Sequence, residues 1–226
     1  MEEHPFITFL GVKFTEPVTM LTDFIVAAAC FYFAWKLMKS SRETEAKKYF
    51  IYYFFSMAGA TFLGGLFGHG LQAYVGMVGK YPSWVLTGVS MYFLQIASFY
   101  LLPKLNESYK FYYNIFSFLL MVIFLLVAFY MNHFSYVVFH NIVAALFIIP
   151  TFAYLNFKYS FVGSGWILLS FLISSTIPYF QLNRIGVNRW FTYHDVCHAI
   201  MLLGLTLIFY GAWLIHRYSE GELIKS

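Results

Sequence analysis

Long apolar runs, each closed by a short cluster of charge, glycine or proline, set the pattern of this chain. Seven runs have the length of helices: about 17–38, 49–76, 82–103, 111–131, 133–157, 161–180 and 190–216. About 20 mostly apolar residues cross a bilayer core as an α-helix. The pattern predicts an all-α polytopic membrane protein, a seven-transmembrane helix bundle forming one domain over 1–226. Pro17 suits a first helical turn, where its missing N–H costs nothing. Pro150 is expected to kink the fifth run. The fourth holds only Ser117 as a hydroxyl between Phe116 and Phe129 and no ionisable group, so it is expected to face lipid or pack without chemistry. In the second run Gly64 and Gly68 form a small-residue face that lets another helix approach closely.

Composition agrees with that reading. Of 226 residues 61% are apolar and 11% charged, whereas soluble domains carry about a quarter charged residues. The net charge of +4 then reports on topology and points to no nucleic-acid partner. Lys36, Lys39, Arg42, Lys47 and Lys48 flank the first loop, and Lys104, Lys110, Lys158, Arg217 and Lys225 fall on its side if there are seven spans. Lys13, Lys80, Arg184 and Arg189 fall on the other. Basic residues favour the cytoplasmic side, so the N-terminus is expected outside and the C-terminus in the cytoplasm. Trp84 and Trp190 then sit at outer ends, and Trp35, Trp166 and Trp213 at inner ends, as aromatic belts require. Met1–Pro5 lacks the basic region of a signal peptide, and Cys30 and Cys197 form no disulfide pattern.

Against this background the ionisable residues inside the runs stand out: Asp23, His69, His140, His194, Asp195 and His198, with Glu16 at the lip of the first. Intramembrane ionisable groups are costly and mark functional sites by default. Counted along the runs, most lie about 6–12 Å below the outer boundary. Ser90, Ser174, Ser175 and Thr176 fall in the same layer. His194 and His198 are four residues apart, so a helix presents them on one face, and two such imidazoles can share one metal ion. A polar network that only fixes helix packing is the plainer alternative, and for His140 alone it is the stronger one.

A histidine near the end of the second run and HxxxH early in the seventh resemble the alkaline ceramidases. The progestin and adiponectin receptors, haemolysin-III proteins and post-GPI-attachment lipid hydrolases share that plan. The resemblance implies a zinc ion on three histidines, here His69, His194 and His198. It also implies a serine one turn before His69, where this chain has Gly65, and an aspartate early in the third helix, where Tyr81–Phe99 has none. The acidic calcium-binding stretch of the ceramidases is reduced to Glu16, so calcium is not expected.

The expected function is therefore a zinc-dependent hydrolase acting in the bilayer on a membrane lipid amide or ester. Three histidines leave one tetrahedral position for water. Asp23, or else Asp195, would take the proton from that water, and Ser90 or a hydroxyl of the sixth run would donate to the oxyanion. His140 and Glu16 would stand behind the ligands. Two rival classes remain. One is a haem- or quinone-binding redox protein with His69 and His198 as axial ligands. The other is a receptor or transporter with a structural metal.

Overall fold

The computed structural model describes residues 5–40 and 43–217. It opens with a hairpin that the apolar runs do not announce. Strands β1 (Phe6–Phe9) and β2 (Val12–Thr15) pair antiparallel, from Phe6 opposite Thr15 to Phe9 opposite Val12. Leu10 and Gly11 form its two-residue turn with φ of 49° and 77°. Two positive φ angles define a type I′ turn, which favours Asn, Asp or Gly. The left-handed conformation costs a residue with a Cβ about 1–2 kcal/mol.

Helix α1 is Pro17–Met38 and α2 is Glu45–Leu63. The axis of α2 continues as a π-helical segment, Gly64–Gly70. After α3 (Gln72–Val75) and a 3-10 turn (Gly76–Lys80) come α4 (Tyr81–Tyr100), α5 (Glu107–Tyr130) and α6 (Ser135–Tyr159). The chain ends in α7 (Ser164–Ser174), α8 (Ile177–Leu182) and α9 (Tyr193–Arg217). Among the described residues, six segments are long and apolar enough to cross a membrane: Pro17–Met38, Glu45–Gly70, Glu107–Tyr130, Ser135–Tyr159, Ser164–Leu182 and Tyr193–Arg217. The protein is thus an all-helical membrane-type bundle with one small hairpin. Helix α4 falls outside the six, because Ser83, Thr87, Ser90, Gln95 and Ser98 lower its mean hydropathy.

The element ends depart from the apolar pattern for local reasons. The second run stops at Gly70 instead of 76, where Leu71 N–H bonds five residues back to the Leu66 carbonyl. The sixth run breaks after Ser174 and restarts as α8 with Pro178 in its first turn. Proline has no N–H to give to the carbonyl four residues back, so the α-helical ladder stops there. The last helix starts at Tyr193, because the Asn188 side chain accepts from the N–H groups of Trp190 and Phe191 and holds them in a loop. Pro150 lies inside α6, which runs on to Tyr159.

The helices close into a ring. Helix α1 packs on α2 and α9, α2 on α4, α4 on α6, α6 on α7, and α7 on α9. Helix α5 sits outside against α4 and α6 and buries only Ser117, Met121, Leu125 and Ala128. Inside the ring Phe33 stacks on Phe209 with centroids 4.5 Å apart, and Phe54 meets both edges. Helices α7 and α9 touch backbone to backbone. A Cβ on Gly211 would lie 2.6 Å from the Gly163 carbonyl oxygen and 2.7 Å from Ile167 Cγ1. Gly211→Ala is therefore expected to destabilise the bundle by about 1–3 kcal/mol, read as a lower thermal midpoint in detergent.

Candidate metal centre

The polar groups gather where the hairpin meets the ring, between the first and last helices. Glu16 is the hinge from β2 into α1, and it holds a left-handed backbone, φ 46°. That turn aims its buried carboxylate at the π-helical segment, where Oε2 lies 2.6 Å from His69 Nδ1. The Thr15 hydroxyl donates to the His69 carbonyl. The segment containing His69 is thus held at both its ring and its backbone. A π-helical turn carries an extra residue and is frequent at functional sites; here it sets the direction of His69.

Asp23 stands two turns into α1. Its Oδ2 is 3.9 Å from His69 Nε2, and its Oδ1 is 3.4 Å from His198 Nε2. The ligand atoms of Asp23, His69 and His198 all lie within 4.8 Å of one another, a spacing that could hold a metal ion. The approach of α1 depends on Gly65, where a Cβ would fall 2.8 Å from Asp23 Cβ and 3.1 Å from the Met20 carbonyl oxygen. The small-residue face expected of Gly64 and Gly68 meets Ser83 and the stem of Lys80.

Hydrogen bonds at Nδ1 favour the same tautomer in both rings. An ionised Glu16 can only accept, so His69 carries its proton on Nδ1. For His198 the reasoning takes one more step. Thr22 Oγ1 lies 2.8 Å from His198 Nδ1, 3.1 Å from Asp195 Oδ1 and 2.9 Å from the Thr19 carbonyl oxygen. All three neighbours can accept the single Thr22 proton, and the carboxylate, carrying charge, is the strongest acceptor of them. Toward His198 the hydroxyl then accepts, and His198 Nδ1 carries the proton. In that tautomer, the one metal ligation through Nε2 requires, each imidazole presents a lone pair at Nε2 toward Asp23. Outer partners that fix tautomer and ring plane in this way accompany metal-binding histidines.

The other predicted residues fall into place around this triad. His194, one turn before His198, is beside it with its ring 5.3 Å from that of His69, and it rests on Tyr193 at 4.1 Å. Asp195 is fully buried and faces away from the gap. Its Oδ2 accepts from the Thr192 N–H at 2.5 Å and the Thr192 hydroxyl at 3.0 Å, so it anchors the start of α9 and, through Thr22, orients His198. Ser90 is buried on α4 and donates to its own helix at Thr87. The α4 hydroxyl at the level of the triad is Ser83, seven residues nearer the hairpin end and across Gly64 from Asp23. His140 is buried on α6 against Phe124, and neither of its nitrogens reaches a hydrogen-bond partner among the described residues. It therefore makes no bond to the triad histidines, contrary to the supporting role expected from its depth. Ser175 and Thr176 return their hydroxyls to their own helix.

Depth counting missed Thr22, Thr192, Ser83 and Lys80. The first two were hidden because a hydroxyl inside an apolar run is common and uninformative. Lys80 lies on the 3-10 turn, its stem 3.5 Å from where a Gly68 Cβ would be. Burial pushes its ammonium below the usual lysine range, and the nearby Glu16 opposes that shift.

A helical membrane-type protein whose first helix, π-helical segment and last helix bring together an Asp/His/His cluster is the class that fold and site define. Residues 18–216 match the model of a family of unknown function (DUF6962), and the chain belongs to that family. No curated protein and no solved structure matches it.

Proposed function

We propose that the protein is a zinc-dependent hydrolase that cleaves an amide or ester of a membrane lipid. The observation that carries this reading is the convergence of two imidazoles and one carboxylate whose ligand atoms lie within 4.8 Å of one another. Ligand–ligand separations around tetrahedral zinc, with bonds of about 2.0–2.1 Å, come to about 3.3 Å, and the Asp23–His198 separation of 3.4 Å fits that edge. Asp23, His69 and His198 are assigned as ligands. When bound, zinc supplies a polarised carbonyl and an acidified water.

The protein's own groups do the rest. His194, with its ring 5.3 Å from that of His69, would take the role of proton acceptor and donor to the leaving group. The sequence expectation gave the third ligand position to His194 and the base to Asp23; the proposal exchanges these roles. Glu16, Thr22 and Asp195 hold the ligand rings. Ser83 replaces Ser90 as the α4 hydroxyl beside the cluster, and it would have to turn from the Lys80 carbonyl to which it donates in order to reach an oxyanion. A haem between His69 and His198 would need the gap that the Asp23 carboxylate fills.

The test is metal analysis by mass spectrometry on wild type, His198→Ala and His140→Ala purified without chelator. Zinc near one per chain is expected in wild type and His140→Ala, with most of it lost from His198→Ala. Wild type without stoichiometric metal would sink the reading. Vesicles carrying labelled N-acyl and O-acyl lipids then report release of labelled fatty acid.

The topology proposed for this enzyme has seven crossings, with the N-terminus outside. Helix α4 is 20 residues long, about 30 Å at 1.5 Å per residue, and lies within the ring between two candidate spans. The basic-residue asymmetry supports the orientation, although Arg42 and Lys225 lie outside the described residues. The exposed Glu45 begins α2 on the loop side. In intact cells, a cysteine at Glu45 is expected to resist an impermeant thiol reagent; ready labelling would reverse the orientation.

A further inference from the structure

The hairpin has two unlike faces. Strand alternation and the register put Phe6, Thr8, Lys13 and Thr15 on one side and Ile7, Phe9, Val12 and Phe14 on the other. The first side carries the charge and the tie to the helices, although Phe6 on it is also exposed. Thr15 is tied to the His69 and Gly70 carbonyls, and Lys13 lies over the Phe6 ring at 4.0 Å. The second side is wholly apolar and mostly uncovered, with Phe9 64% exposed. At the tip Leu10 is 88% exposed in a left-handed conformation.

In water this tip has no rationale. The turn favours Asn, Asp or Gly at that position, and the leucine gains no packing within the chain. The neighbouring turn repeats the composition: Tyr74, Val75, Met77 and Val78 are all exposed around Gly76, and Tyr74 accepts the Lys13 N–H on its hydroxyl. Strand β2 runs through Thr15 and Glu16 directly into α1, so the patch is continuous with the end of a membrane-spanning segment. We propose that the apolar face of the hairpin, led by Phe9 and Leu10, lies in the interfacial layer of the bilayer that holds the helices. The partner is the lipid surface, and the Lys13 face turns toward water and the protein. An apolar medium removes the cost of exposing this face, and a leucine at the tip is then worth its backbone strain. This placement does not depend on the hydrolase reading.

The test uses the full chain in phosphatidylcholine vesicles, with Cys30 and Cys197 replaced by alanine and a nitroxide attached at Leu10→Cys, Phe9→Cys or Lys13→Cys. Power saturation compares collision with oxygen, which concentrates in lipid, and with a water-soluble nickel chelate. An oxygen-to-nickel ratio several-fold higher at Leu10 and Phe9 than at Lys13 is expected. Equal nickel access at all three would overturn the proposal, as would dipolar coupling between Leu10 labels at low protein density, which would assign the face to a second copy. Leu10→Asn, which suits the turn in water, is expected to lower the ratio at Phe9. An unchanged ratio there would remove the tip from the interaction.

Discussion

Asp23→Asn is expected to strip the metal from the purified protein and abolish hydrolysis with it. The carboxylate sits between two imidazole nitrogens, at 3.4 and 3.9 Å, and amide oxygen is a far weaker ligand than carboxylate. His194→Ala is the contrasting variant. It is expected to keep the metal and lose turnover by about 10²–10⁴, the usual contribution of a positioned acid–base group. Metal analysis and lipid turnover on the two proteins separate the roles. Metal retained in Asp23→Asn but lost in His194→Ala would restore the three-histidine arrangement that the sequence resemblance implies.

A larger structural effect is expected from Gly65→Ser. Serine is the residue the resembling group carries at this position, yet here its Cβ would lie 2.8 Å from Asp23 Cβ and 3.3 Å from the Phe24 ring. Backbone lies on one side as well, so α1 itself must move. Overpacking of this kind costs about 1–3 kcal/mol, and it displaces a ligand too. Loss of stoichiometric metal together with a lower thermal midpoint is the expected result. Asp23→Ala leaves its Cβ in place, so the double variant Gly65→Ser/Asp23→Ala should regain no stability. Full metal occupancy in Gly65→Ser would mean that α1 is not held against the π-helical segment.

These two residues also mark how far the sequence could be read. The apolar runs located every long helix, because each must hide about 20 residues from water. Pro17 marked the start of α1 to the residue. His69, His194, His198, Asp23 and Glu16 were legible as candidates because a polar group in an apolar run is conspicuous. Depth along a helix, however, says nothing about its azimuth. His140 and Ser90 have suitable depth, but one ring lies against Phe124 and the other side chain bonds within its own helix. The π-helical segment was also invisible: four glycines in GGLFGHG read as a packing face, while the bonding shift that turns His69 is a property of the backbone. The hairpin escaped because its strands are four residues each, too short to register as a run.

Thr22 and His198 are bonded across a sequence separation of 176. Helix α1 supplies Glu16, Thr22 and Asp23, and these groups leave the ribosome long before α9 is made. Until that last helix closes against α1, Thr22 and Asp23 wait for His198. The cluster therefore works as the clasp of the ring, and it is complete only late in biogenesis. A chain cut short anywhere before α9 would insert its hydrophobic segments and still have nothing to fasten.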